Sequence, residues 1–221
     1  MLKTRSVIIS ASEDRFEKLL EQRIKSSSSE EKEKIDQRIW DLFGEEWAIM
    51  FTDMSGFSRG VAKFGIIHFL QTIYESQRIL VPVIDKNDGI LLKVEGDSFM
   101  VLYRNVNKAL KAAIEMQQTV KKYNIVTPDE EDIPLCIGIG FGRMLKIGDT
   151  NVFGPEVNAA SKLGEDTAKA WEIIVTGNVK EAAELGNIEF IKTDSAPPGA
   201  KEAYKVQYSF ENDYSKEDLN S

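Results

Sequence analysis

The chain has 221 residues and a 42% hydrophobic share, enough to build one ordinary domain with a true core plus an appendage, which excludes a wholly disordered protein. Its formal net charge of −8 repels phosphate backbones and anionic lipid surfaces, and no run of Lys and Arg supplies a local exception, so no nucleic-acid or membrane partner is expected. A single Cys136 cannot close an internal disulfide, no segment approaches the roughly 18 apolar residues of a membrane span, and the first residues are too short an apolar run for a signal peptide; the expected location is cytoplasmic.

Residues 12 to 43 carry two amphipathic helical patterns, Phe16, Leu19 and Leu20 in the first and Ile35, Ile39, Leu42 and Phe43 in the second. Four serines at 26 to 29 separate them, and Ser28 with Glu31 has capping-box spacing, which restarts a helix there. This N-terminal helical arm, residues 1–45, can pack on its own domain or on a second copy of the chain, and the sequence leaves both open. From Trp47 the pattern changes to short apolar runs alternating with helices. Residues 48 to 52 read as a buried strand, 61 to 84 as mostly helix, and 90 to 95 with 98 to 103 as a hairpin turning on Gly96 and Asp97. A second long helix spans about 106 to 123, with Leu110, Ala113, Ile114 and Val120 on its apolar face. Residues 127 to 133 form an acidic surface loop, and a Gly-rich strand begins at Leu135.

The order so far is the βαββαβ of a ferredoxin-like α+β fold, with helices on one face of the sheet. A hairpin from 143, a helix at 155 to 165, a strand at 172 to 176, a helix to about 185 and strands near 188 to 192 and 203 to 208 make a C-terminal βαββ-type extension. The expected organisation is therefore the arm, a body over 46–209, and an acidic tail over 210–221 that reads as disordered.

Two short segments combine residue types that suit metal and phosphate chemistry. In Phe51-Thr52-Asp53-Met54-Ser55-Gly56-Phe57, a carboxylate at the end of an apolar strand is rigidly aimed, as a hard divalent ion requires. The backbone N–H groups of the following turn, at Ser55, Gly56 and Phe57, can receive phosphate oxygens; the competing reading makes Asp53 an ordinary helix cap. In Lys93-Val94-Glu95-Gly96-Asp97 an Asp projects from a tight hairpin, and taken alone it is an ordinary turn residue. Neighbouring central strands would bring the two aspartates together, an arrangement that makes sense only if a cation neutralises them. His68 has no companion ligand and reads as structural, and Gly138, Gly140 and Gly142 mark one strand face against which something packs closely.

These residues resemble the class III adenylate and guanylate cyclase catalytic domain. Residues 51 to 57 are similar to that family's FxDxxGF motif and residues 93 to 97 to its KxxGD motif. Residues 137 to 142 resemble its glycine-bearing strand, and residues 152 to 163, VFGPEVNAASKL, its GxxVNxAxRL helix. The resemblance covers about residues 46 to 208. It implies that Asp53 and Asp97 hold two divalent ions, Mg²⁺ or Mn²⁺, for attack of a ribose 3′-hydroxyl on the α-phosphate of the same nucleotide. It implies that Lys93 and Asn151 read the base, Lys93 pointing to ATP and hence to cyclic AMP as product. It implies that Asn158 orients the ribose and that Lys162, standing where the family has Arg, touches the phosphates. It further implies a head-to-tail homodimer with composite sites, Lys93 and Asp97 serving different sites because alternation aims them to opposite sides. Two departures keep alternatives open. Asn151 replaces the usual Asp or Thr and can present either end of its amide, which leaves GTP or a pyrimidine nucleotide as substrates. Lys162 keeps the charge of Arg without its bidentate fork, which leaves a slower enzyme or a weakened nucleotide-binding regulatory module.

Overall fold

Helices α1 (Ala11–Lys25) and α2 (Ser29–Phe43) open the chain in the computed structural model, which describes residues 11–55, 63–186 and 188–209. Half of the expected capping box forms: the Ser28 hydroxyl accepts the Glu31 N–H at 3.4 Å, while the Glu31 carboxylate takes the Ser26 hydroxyl at 2.7 Å. Arg23 grips Asp36 with two hydrogen bonds of 2.5 and 3.0 Å, locking the two helices together. Their apolar faces close over the body. Leu19, Ile39 and Phe43 bury Ile147, and Phe16 meets Phe43 edge-on with ring centroids 5.7 Å apart. Of the two packings left open, the arm takes the one on its own domain.

The body begins with β1 (Gly44–Met54), longer at both ends than residues 48 to 52 because it pairs along its whole length with β4 (Leu135–Ile147). Between them come α3 (Ile66–Lys86), β2 (Ile90–Glu95), β3 (Ser98–Tyr103) and α4 (Val106–Val126). After β4 follow β5 (Asn151–Phe153), α5 (Pro155–Ser161) running on as a π-helical turn over Lys162–Thr167, β6 (Ile173–Thr176), α6 (Gly177–Ala182), β7 (Glu189–Lys192) and β8 (Ala203–Gln207). The sheet order is β2-β3-β1-β4-β6-β8-β7, with β5 paired to the far end of β4. Each of its first four strands is antiparallel to its neighbours among them, which is the expected ferredoxin-like arrangement, and β6 joins β4 in parallel.

Strand alternation splits β1 between two cores. Ala48, Met50 and Met54 face α3 and α4, meeting Leu80, Ile84, Leu110 and Met116. Trp47, Ile49 and Phe51 face the other way, toward Val157 and Ala160 of α5. The glycines of β4 allow that second layer to sit close. A Cβ at Gly138 would lie 2.2 Å from the Ala160 carbonyl oxygen and 2.3 Å from the Gly164 nitrogen, so no larger residue fits under α5. The expected helix from 61 is broken at Gly65, whose φ is +86, and α3 then runs on through Pro82. His68 is held by the Glu130 carbonyl at 2.6 Å, in keeping with a structural role. Among the described residues no helix is long and apolar enough to cross a membrane. The tail over 210–221 lies outside the described residues.

Candidate active site

Asp53 stands near the end of β1, and Asp97 stands in the two-residue turn between β2 and β3. Gly96 takes φ +61 there, the left-handed conformation that the first central position of a II′ hairpin requires. Two hydrogen bonds pin this hairpin to β1: the Thr52 hydroxyl accepts the Phe99 N–H at 3.0 Å, and the Ser98 hydroxyl donates to Asp53 Oδ1 at 3.4 Å. The carboxyl groups of Asp53 and Asp97 thereby come within hydrogen-bond reach of each other. Burial, then the negative charge of Asp97, pushes the Asp53 carboxyl up to about 6. Burial also raises Asp97, with Glu165 adding to the effect.

Asp97 Oδ2 is buried with no hydrogen-bond partner. An orphaned carboxylate oxygen beside a second carboxylate costs free energy unless a cation takes up the lone pairs. The donor set is two hard oxygens, and no cluster of three or more His, Cys, Asp or Glu forms a metal site among the described residues. Such a pair fits a divalent ion of the Mg²⁺ type, which is held by one or two carboxylates and completes its shell with water and phosphate oxygens. Cys136, opposite Asp53 in the sheet, is buried, and its thiol is pushed up to about 12 by that burial and by Asp53.

The other candidates of this half divide. The Ser55 N–H, expected to receive phosphate, instead donates to the Pro134 carbonyl at 2.9 Å; that expectation is corrected, because the turn after β1 is tied to the start of β4. Asn124 fixes the adjoining loop by accepting the Ile133 N–H at 3.0 Å and donating to its carbonyl at 3.3 Å. Gly56 and Phe57 lie outside the described residues. Lys93 follows a bulge in β2 and pairs with Met100, which pairs in turn with Phe51. Directly paired residues share a sheet face, so Lys93 points to the α5 side, the same side as Asp53. Alternation therefore does not aim it to an opposite face. It is set apart laterally, two strands from β1 and so about 10 Å away.

Asn158 and Lys162 project from one face of α5 and its continuation, as four-residue spacing requires. They line a cleft of about 590 Å³ with Gly154, Pro155, Ser161, Pro198 and Gly199, a size in the range of small-molecule sites, and neither aspartate is among its walls. Lys162 Nζ is held by Asp166 at 2.6 Å. Glu156 anchors this helix from beneath: it is buried, accepts from Phe141 N–H at 3.0 Å, the Thr176 hydroxyl at 2.6 Å and Asn178 at 2.8 Å, and burial raises its carboxyl. Asn151 opens β5 and donates its amide N–H to Glu13 of the arm at 3.3 Å. Sequence reasoning missed Asp166, Glu156 and Glu13. The Lys162 to Asp166 spacing is a readable ion-pair signal. Glu13, 138 positions from Asn151, has no local signal at all.

A family model described as the adenylate and guanylate cyclase catalytic domain matches residues 44–207. An adenylate cyclase of Mycobacterium tuberculosis is 26% identical over 188 residues, covering 79% of this chain and 42% of that protein. An adenylate cyclase of Anabaena cylindrica is 29% identical over 148 residues, covering 59% of this chain and 29% of that protein. The chain thus spans less than half the length of these curated relatives. Among solved structures, the adenylyl cyclase CyaB from P. aeruginosa superposes with a TM-score of 0.61 at 19% identity, over 75% of this chain and 95% of that one. The guanylate cyclase domain of RhGC from Catenaria anguillulae, in complex with GTP, does so with a TM-score of 0.63 at 19% identity, over 74% and 96%.

Proposed function

From the premise that this chain belongs to the adenylate and guanylate cyclase catalytic domain family, we propose that it converts ATP to 3′,5′-cyclic AMP and pyrophosphate. The observation that carries the reading is the Asp53–Asp97 pair, two half-buried carboxyl groups brought together where the β2–β3 hairpin is pinned to β1, with one orphaned oxygen on Asp97. Two divalent ions there, Mg²⁺ or Mn²⁺, would favour ionisation of the ribose 3′-hydroxyl and neutralise the triphosphate. The chain's own residues do the rest by position and charge. Asp53 and Asp97 would hold those ions, Asn158 orients the ribose, and Lys162 turns from Asp166 to the phosphates. Lys93 donates to the ring nitrogen of the base, and Asn151 reads its exocyclic group.

The catalytic unit in this reading is the body over 46–209, with the arm as its support. Neither aspartate lines the Asn158–Lys162 cleft, which favours sites completed between two copies arranged head to tail. The exposed apolar side chains Ile66, Ile67, Leu70 and Tyr74 on α3 give a second copy a surface to cover.

The direct test is turnover of ATP, GTP, CTP and UTP by the purified full chain with Mg²⁺ and with Mn²⁺. Cyclic AMP with pyrophosphate is the expected product. A different cyclic nucleotide would change the substrate, and no product from any of the four with either ion would favour a nucleotide-binding regulatory module.

A further inference from the structure

Asn151 does not stand alone at its end of the sheet. The first turn of α1 lies against the β4–β5 hairpin: the Ser12 hydroxyl accepts the Gly148 N–H at 3.1 Å, and Glu13 Oε1 accepts from Asn151 Nδ2 at 3.3 Å. The contact is braced one turn further along, where Phe16 and Leu19 close over Ile147, the residue paired with Asn151 across the hairpin. A carboxylate only accepts hydrogen bonds, so Glu13 compels Asn151 to turn its NH₂ toward the arm. The Oδ1 atom is then the end left to meet a ligand.

We propose that Glu13 is a positioning residue that makes this site select bases carrying an exocyclic amino group, adenine or cytosine, over bases carrying a carbonyl there, guanine or uracil. The inference rests on the reading of Asn151 and Lys93 as the base-contacting pair. Adenine and cytosine offer an amino donor to Asn151 Oδ1, whereas guanine O6 and uracil O4 would bring two acceptor oxygens together. Lys93 agrees with that choice, since an ammonium donates to the unprotonated ring nitrogen of adenine or cytosine and not to the N–H of guanine or uracil. The arm is thus a specificity element, acting through one amide.

The test compares the full-length wild type with Glu13→Gln, Glu13→Ala and Ser12→Ala, measuring kcat/KM for all four nucleoside triphosphates and the thermal midpoint of each variant. A glutamine can meet either end of the Asn151 amide, so Glu13→Gln is expected to lower the ATP-to-GTP and CTP-to-UTP ratios by roughly tenfold or more. Glu13→Ala lowers them as well, while Ser12→Ala, which loosens the arm without freeing the amide, keeps them. Unchanged ratios in a folded Glu13→Gln protein overturn the inference and leave the cyclase reading standing, as does a wild type that prefers GTP and UTP. Calorimetric binding of the same nucleotides to wild type and Glu13→Gln separates the two ideas if turnover is absent. Amino-over-keto binding that Glu13→Gln erases then supports the inference while the catalytic reading fails, and binding without that preference overturns the inference.

Discussion

At the scale of single residues, Asp97 ties stability to activity with opposite signs. The Asp53 carboxyl is raised from its ordinary 3.8 to about 6, so the folded state holds that proton more tightly than the unfolded chain. The resulting stabilisation is present below the unfolded value and is lost as pH rises through about 6. Metal-free protein should therefore lose Tm between about pH 4 and 6, and Mg²⁺ or Mn²⁺ should restore it above that range. Asp97→Asn removes the neighbouring charge. It should raise the metal-free Tm at pH 7 by a few degrees, abolish the metal-induced gain and reduce turnover by at least about a hundredfold, read by scanning calorimetry and product formation. Lys162 poses a different question of magnitude. Its ion pair with Asp166 is solvent-exposed and four residues apart, among the weakest kinds of ion pair, so a triphosphate displaces it readily. Asp166→Asn should change kcat/KM by no more than about twofold, while Lys162→Ala should lower it by about a hundredfold.

At the scale of elements, α5 and its π-helical extension depend on what lies beneath them. Gly138 touches the Ala160 carbonyl and Gly164 backbone across the layer, and both neighbours are main chain that cannot swing aside. Gly138→Ala should destabilise the protein by roughly 1–3 kcal/mol in denaturant titration and depress activity with it, because the shift moves Asn158 and Lys162 together. The helical pattern, the paired glycines and the Asn158–Lys162 spacing were all readable in the sequence, since each rests on local periodicity. The π turn was not: it arises where Gly164 presses on the Phe51 backbone, and a Cβ there would come within 2.8 Å of that carbonyl. Ser55 was misjudged for the same kind of reason. Its N–H is taken by Pro134, a partner 79 positions away that no local pattern announces.

At the scale of the whole molecule, the reading of sites shared between two copies predicts complementation. Asp97→Asn spoils the metal half and Asn158→Ala the ribose half, so each homodimer should be inactive. Mixed in equal amounts, half of the dimers are hybrids with one intact site, and about a quarter of wild-type activity should return, accompanied by a dimer mass in light scattering. No recovery on mixing, with exchange of subunits verified, would place both halves of the site within one chain.

What the sequence by itself determined was whatever recurs at short range or is carried by residue type: the βαββαβ order, the aspartate at a strand end and the aspartate in a turn, the four motifs that resemble one enzyme family, and the helical arm as an amphipathic unit. Tertiary structure decided which side of the arm is covered, how Asp53 and Asp97 shift each other's protonation, that Lys93 shares a sheet face with Asp53, and that Asn151 answers to Glu13. The physical reason is common to all of these. Periodicity encodes which face of an element is apolar, whereas hydrogen-bond partners and charge neighbours are set by strand register and by the docking of segments far apart in the chain, and those are fixed only when the elements pack.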